Sequence, residues 1–376
     1  VRATLVLALM LAGCGSREAE PPLVLVADDP TDAPLASLSA AELARFAAGD
    51  ARFEEPFREA QGLGPLYIHR SCVSCHEGDA RGPGAVRRLA LLAPLDRGVL
   101  PFGDTLRPRL SAGARTPLVA PSDVLVREEV RLGPAVFGRG FLEALPDATI
   151  EGWAAAQAAR DDGISGRVHR VAPGAIGRFG LKARTATLEE FVADALLGDM
   201  GLTSPLRPTE LPNPDGLMDD ARPGVDVDED TVAVLADYVR MLALPRRASV
   251  EGAELFASMR CAVCHVPRAR TRDDHAVAAL RGVDVALYTD VLLHDLGEGL
   301  ADGVPEGDAS GREWRTAPLI GLRHLRGLLH DGRATSVREA ILLHASEGSE
   351  ANDSVARFRA ASSADQARLV AFVEAL

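Results

Sequence analysis

The sequence has no excess of basic residues. Across 376 residues, 41 Lys and Arg stand against 54 Asp and Glu, a formal net charge of −13. Without a broad positive field there is no electrostatic footprint for nucleic acid. Lysine is nearly missing, Lys182 being the only one; this arginine bias fits a GC-rich bacterial genome and carries no functional reading. Long hydrophobic runs are also absent. Beyond the N-terminus no segment approaches ~18 uninterrupted apolar residues, so the mature chain is expected to be soluble apart from an anchor. Few runs alternate as strands do. What remains is 47% hydrophobic and 25% charged residues, an ordinary globular balance that excludes disordered and collagen-like classes. The length suffices for two domains. Five cysteines, an odd number, suggest in an exported protein a free thiol or an intermolecular bridge, unless other chemistry uses them.

The N-terminus accounts for one of them. Arg2 precedes an apolar run, Leu5 to Leu11, too short to span a bilayer, which is the layout of a secretory signal. Its end, Leu11-Ala12-Gly13-Cys14, resembles the lipobox of bacterial lipoproteins. That resemblance implies a signal peptide over 1–13 and a lipidated Cys14. Gly15 follows, rather than the aspartate that often retains such proteins at the inner membrane, so the expected place is the periplasm, anchored to the outer membrane. An ordinary signal with a chance cysteine is the plainer alternative. Residues 14–34, rich in Pro, Asp, Glu and Ala, read as a flexible tether.

The other four cysteines form Cys72-Val73-Ser74-Cys75-His76 and Cys261-Ala262-Val263-Cys264-His265. Both fit Cys-x-x-Cys-His, the attachment signature of c-type haem. Two thiols add to the vinyl groups of a haem while the adjacent histidine ligates the iron. Three other readings fit less well. A thioredoxin-like pair needs a βαβ setting. A zinc ribbon needs the pairs to converge, yet the motifs lie 189 residues apart and each carries its own histidine. Disulfides across so short a loop would be strained. Two covalent haem c groups are therefore expected.

The surroundings suit two small helical haem domains. Ser39-Ala40-Ala41-Glu42 is a capping box opening an alanine-rich helix. Residues 249–256 read as a capped helix ahead of the second motif. Residues 231–244 place Val232, Leu235, Tyr238, Val239 and Leu242 on one face. Ser363-Ala364-Asp365-Gln366 reads as a box opening a closing helix. The expected fold class is mainly α. It comprises two tandem cytochrome c-like domains, residues 35–245 and 246–376, the first carrying a loop-rich insertion at about 80–225 with short helices.

What each haem does depends on its distal side: a strong second ligand gives an electron carrier, an open position a catalyst. His344 is the clearest candidate ligand, at the far end of a helix that Ser336 and Glu339 would cap. A lone histidine is more often an ordinary core or surface residue.

Several segments resemble the bacterial di-haem oxidoreductase family, whose members are described as peroxidases and sometimes labelled thiol oxidoreductases. They include Gly62-Leu63-Gly64-Pro65, Phe137-Gly138-Arg139-Gly140-Phe141-Leu142-Glu143, Ile176-Gly177-Arg178-Phe179-Gly180 and Tyr288 to Asp295. Glu313-Trp314-Arg315-Thr316-Ala317-Pro318-Leu319 and His330-Asp331-Gly332 complete the set. The family is related to di-haem cytochrome c peroxidases and MauG-type enzymes, and the resemblance spans the mature chain. In the peroxidases a methionine fourteen residues beyond the His-Asp-Gly histidine ligates the electron-transfer haem. Here that position is His344, which implies joint ligation of the second haem by His265 and His344 and a lower potential than His/Met gives.

For the first haem, no histidine follows His76 until His169. Met200, His169 and His69 could ligate only if the insertion folds back, and an open or water-bound position is the preferred reading. Glu143 is then a candidate acid/base for peroxide heterolysis, against the plain reading of a solvated helix residue, and Arg139 a candidate to stabilise negative charge. Arg333 is a candidate propionate partner, and His294 and His330 are expected to bond propionates or backbone. Trp314 could sit near or between haems, a core tryptophan being simpler; Gly138 stands where the peroxidases carry their inter-haem tryptophan. The acidic runs Asp226–Asp230 and Asp161-Asp162 prompt comparison with the peroxidases' calcium, but fit no EF-hand loop.

These readings converge on a lipid-anchored periplasmic di-haem oxidoreductase, peroxidase-like, exchanging electrons with a periplasmic donor or acceptor and reducing peroxide or a related small oxidant. A non-catalytic di-haem electron carrier is the main alternative, and thiol–disulfide exchange a third.

Overall fold

The computed structural model describes residues 31–80, 82, 84–92, 100–111, 113–122, 125–172, 174–217 and 224–376. Cys14, the signal and the tether through residue 30 lie outside them. Nine α-helices occur among the described residues: α1 Ala40–Glu54, α2 Arg139–Glu143, α3 Asp147–Ala158, α4 Leu188–Met200, α5 Glu229–Met241, α6 Ala253–Ser258, α7 Val337–Leu343, α8 Asn352–Ala360 and α9 Ser363–Glu374. Strands form five separate two-stranded antiparallel ribbons rather than one sheet. The helices hold the cores, so the helical reading stands while the strand content was underestimated.

Around the first motif the architecture follows from α1 and α5. The Ser39 N–H donates to Glu42 Oε2 at 2.7 Å and the Glu42 N–H to Ser39 Oγ at 3.3 Å, completing the expected box. Asp228 caps α5, its Oδ1 accepting from the Thr231 N–H at 2.8 Å. The buried Phe46 and Phe53 of α1 meet Tyr238 of α5, with ring centroids 4.9 and 5.2 Å apart. The crossing needs Gly49: a Cβ there would lie 2.5 Å from the Val234 carbonyl oxygen and 2.6 Å from Tyr238 Cβ. Outside the seam Arg45 reaches Asp237 at 2.5 Å and Asp230 at 2.8 Å.

The insertion is more ordered than its Pro and Gly content suggests. Ala85–Leu91 and Val126–Leu132 pair in unbroken register from Ala85↔Leu132 to Leu91↔Val126, and α3 and α4 span 12 and 13 residues. The ribbon was obscured because its inward positions include charge: Arg131 is buried and bonds Asp302 and Glu306. An alternation test finds no apolar face there.

Two cap assignments also shift. Ser362, not Ser363, caps α9, accepting from the Asp365 N–H at 3.1 Å; Gln366 instead donates to the Phe358 carbonyl at 2.9 Å, tying α9 to α8. Ser249 caps nothing, for α6 starts after Gly252.

One core joins Phe53, Phe137, Phe141, Leu188 and Leu235 to Leu280, Leu292 and Ile320. A smaller one gathers Phe256, Tyr288, Phe358, Leu369 and Phe372. Val277, Leu280, Val285, Leu287, Val291 and Leu292 thus pack with the N-terminal half, while Ala286 and Tyr288 between them belong to the smaller core, so residues beyond the expected junction at 245/246 contribute to both. This mutual burial lays the two Cys-x-x-Cys-His segments on neighbouring cavities.

Candidate haem sites

Each motif closes one helical turn. The His76 N–H donates to the Cys72 carbonyl and the His265 N–H to the Cys261 carbonyl, both at 3.0 Å. That turn carries both sulfurs and the imidazole to the wall of one cavity, as attachment requires. Cys72, Cys75 and His76 line a cavity of about 80 Å³ with Phe53, Leu196, Asp199 and Met200. Cys261, Cys264 and His265 line one of about 250 Å³ with His294, Trp314, His330 and His344. Pro134, Ala135, Arg139 and Arg315 line both. The cavities are therefore neighbours across a wall carrying two guanidinium groups.

In the larger cavity two imidazoles are prepared as ligands. The His265 Nδ1–H donates to the Tyr288 carbonyl at 3.0 Å and the His344 Nδ1–H to the Ala340 carbonyl at 2.6 Å. A carbonyl only accepts, so each Nδ1 carries the proton and each Nε2 keeps its lone pair, the form that binds iron. Burial, and then the neighbouring His344, push His265 down to about 4. Burial lowers His344 as well. Both rings are neutral at physiological pH. Ser336 caps α7 as expected, accepting from the Glu339 N–H at 3.1 Å, and His344 is its C-cap.

The smaller cavity contains His76 but no second histidine. Its imidazole lies against backbone, a Cβ at Gly133 falling 2.7 Å from His76 Cε1. The insertion does fold back: α4 delivers Met200 to this cavity and stops at Gly201, in the left-handed region at φ +73°. His169 is elsewhere, its Nδ1 bonded to the Lys182 carbonyl at 2.7 Å, and His69 does not line the cavity. Among the three distal candidates Met200 is the one brought to the site.

Cys72, Cys75 and Cys261 are pushed up by burial to about 12. A reactive thiol needs the opposite shift. These cysteines lack the depressed value of a disulfide-exchange thiol, and they line the cavity walls. The donor sets and the apolar cavities beside them fit two haem groups.

Glu143 requires correction. It lines neither cavity; Arg240 grips its carboxylate at 2.5 and 3.0 Å and His275 Nε2 lies 3.3 Å away. Burial alone would raise it, but His275 and Arg240 hold it at about 2. It is a fixed anion and no proton donor at neutral pH. Arg333 is half-exposed, paired with Asp331 and bonded to the Gly299 carbonyl at 2.9 Å. It lines neither cavity, whereas Arg139 and Arg315 line both. The Arg139 Nε–H donates to the Ala135 carbonyl at 2.6 Å, and the Arg315 Nε–H to the Gly180 carbonyl at 2.9 Å.

Trp314 lies in the wall of the larger cavity and not in the shared wall. Its ring stacks on His330 at 3.9 Å and 14°, while Lys182 Nζ sits 3.9 Å from the ring centroid and the Arg131 guanidinium 5.4 Å. His294 is clamped by Asp290 at 2.9 Å and Glu350 at 2.7 Å, beside the Cys264 sulfur at 3.6 Å. Cys264, Asp290 and His294 are spaced as a metal site would be, but Cys264 belongs to the second Cys-x-x-Cys-His motif and both His294 nitrogens are engaged by Glu350 and Asp290. The acidic runs do not converge among the described residues. Asp226 accepts from Thr203, Asp228 caps α5, Asp230 pairs with Arg45, and Asp162 pairs with Arg160 and Arg260.

A sequence profile described as "Di-haem oxidoreductase, putative peroxidase" matches residues 29–91 and 111–376. The chain belongs to the di-haem oxidoreductase family. No curated protein matches. Among solved structures, hydrazine synthase of Kuenenia stuttgartiensis, pressurised with xenon, aligns over 100% of both chains at 13% identity and a TM-score of 0.39, too slight a likeness to argue from. Family membership implies haem cofactors, and the two cavities are where the residues suited to hold them lie. Sequence reasoning missed Asp199 and Arg315. Arg315 sits within a quoted family segment, but only the fold shows that it faces both cavities. Asp199 precedes Met200, and burial pushes it up to about 6.

Proposed function

We propose that this di-haem oxidoreductase is a periplasmic, lipid-anchored c-type enzyme of peroxidase type, with an electron-transfer centre at His265/His344 and a reactive centre at His76. The observation that carries this is the asymmetry of the cavities: one offers two oriented imidazoles, the other one imidazole and a thioether. Haem iron, when bound, supplies one-electron chemistry and, where its sixth position opens, a place for a small oxidant. His265 and His344 would hold a haem iron with two imidazoles, leaving no position for a substrate. Met200 offers a soft ligand that a competing oxidant can displace more readily than an imidazole. Arg139 and Arg315 place positive charge in the shared wall, where they can pair with propionates of both groups and offset negative charge developing on an oxidant. Pro134, Ala135, Arg139 and Arg315, which line both cavities, would form the part of the protein between the two groups.

Met200 also favours a second reading, a carrier with both irons six-coordinate and no substrate. Met200→Ala in the haem-loaded protein separates the two. The enzyme reading expects loss of the thioether-to-iron charge-transfer band, a high-spin ferric signal, and peroxide consumption faster than in wild type. Wild type and variant both inert to peroxide would leave the carrier.

A further inference from the structure

Two oxidisable side chains lie buried beside the two haem cavities, and their surroundings differ in kind. Trp314, at the larger cavity, has Lys182 Nζ 3.9 Å from its ring centroid and Arg131 at 5.4 Å. Loss of an electron would put positive charge on a ring already facing two cations. Its Nε1–H donates to the Leu300 carbonyl at 2.8 Å, an acceptor too weakly basic to take the proton. Trp314 is thus insulated from oxidation.

Tyr238 has the opposite setting. It is 1% exposed, and its O–H donates to Asp79 Oδ2 at 2.9 Å, with Asp50 a second carboxylate facing the phenol. Asp79 is itself buried, and its Oδ1 has no hydrogen-bond partner among the described residues. A backbone carbonyl would satisfy a buried phenol equally well, whereas a carboxylate can also take its proton. An aromatic path leads from the reactive centre: the His76 ring lies 6.1 Å from Phe53, and Phe53 5.2 Å from Tyr238. No cation lies over the Tyr238 ring among the described residues.

We propose that Tyr238 is a redox-active residue of the His76 centre, with Asp79 as its proton acceptor. When peroxide has oxidised that centre, one electron leaves Tyr238 for it through Phe53. The phenol O–H bond breaks, the proton passes to Asp79 Oδ2 and forms a carboxylic O–H bond, and a neutral phenoxyl radical remains while the centre is reduced by one equivalent. An external one-electron reductant later restores the phenol, and the proton returns from Asp79. The pair stores one oxidising equivalent in the interior, so two electrons can be taken from donors that give them singly. The peroxide step rests on the function proposed above; the redox role of the pair does not.

The test is rapid-freeze EPR of the haem-loaded protein, once after mixing with hydrogen peroxide and once after oxidation by a light-generated one-electron oxidant without peroxide. A tyrosyl signal is expected under both conditions. It should vanish in Tyr238→Phe, which keeps the ring packing, and persist in Trp314→Phe. Asp79→Asn should slow its formation on the order of 100-fold, the usual scale for removing a positioned base. A signal with light but not with peroxide keeps the redox pair and removes the peroxidase reading. No tyrosyl signal under either condition, or one that survives Tyr238→Phe, overturns the proposal whatever the haem spectra show.

Discussion

Glu143 provides a quantitative check on the electrostatics of the structure. Its carboxylate is 12% exposed and bound by Arg240 and His275, and it is held at about 2 against an ordinary 4.5. At 1.36 kcal/mol per unit, that difference corresponds to about 3 kcal/mol of folded-state stabilisation. The folded value is depressed, so this stabilisation is complete above the unfolded value near 4.5 and is lost as pH falls toward 2. Glu143→Gln keeps the shape and removes the charge. Urea unfolding of the haem-loaded protein near neutrality should show a loss of about 2–3 kcal/mol, shrinking steadily below pH 4.5. Peroxide consumption per folded molecule should be unchanged, because the side chain reaches neither cavity. Wild-type stability at neutral pH would refute the ion-pair account. Loss of turnover by orders of magnitude with the fold intact would return Glu143 to proton transfer.

Further outcomes follow from the same geometry. His344→Ala should abolish the bis-imidazole EPR signal, raise the midpoint potential of the second haem in a redox titration and leave the first haem's spectrum alone. Gly49→Ala forces a Cβ to within 2.6 Å of Val234 and Tyr238 atoms and should cost about 1–3 kcal/mol by chemical denaturation, the range for overpacking a close seam. Lys182→Met leaves Asp302 its Arg131 partner but orphans the buried Ser310 and Glu313 carbonyls, which now receive bonds from Nζ at 2.7 and 2.8 Å. A loss of about 1–3 kcal/mol is expected, as for leaving buried acceptors unsatisfied, measured by the same unfolding assay.

The parts of the molecule legible in the sequence are those set by short-range chemistry. The Ser39 box, the α5 face and the Ser336 cap ahead of His344 all depend on residues within one or two turns, and the structure reproduces each. The rest depends on distant partners. Glu143 reads as a catalytic candidate until Arg240, on another helix, and His275 close around it. Met200 reads as a ligand candidate only if the insertion folds back, and the insertion does so where α4 packs against α5 and carries Met200 to the His76 cavity. The ribbon from Ala85 escaped notice because Arg131 is buried by Asp302 and Glu306, more than 170 residues away. The shared wall of Arg139 and Arg315 likewise joins segments from opposite ends of the chain.

The central claim is that two unlike haem centres, one bis-imidazole at His265/His344 and one at His76 with at most a soft, displaceable ligand, lie on adjoining cavities. The ferric EPR spectrum of the purified haem-loaded protein, recorded before and after adding peroxide, tests it most directly. The account predicts two distinct ferric signals: a bis-imidazole low-spin species that peroxide leaves in place, and a second species that peroxide converts. Two equivalent low-spin signals, both untouched by peroxide, would contradict it.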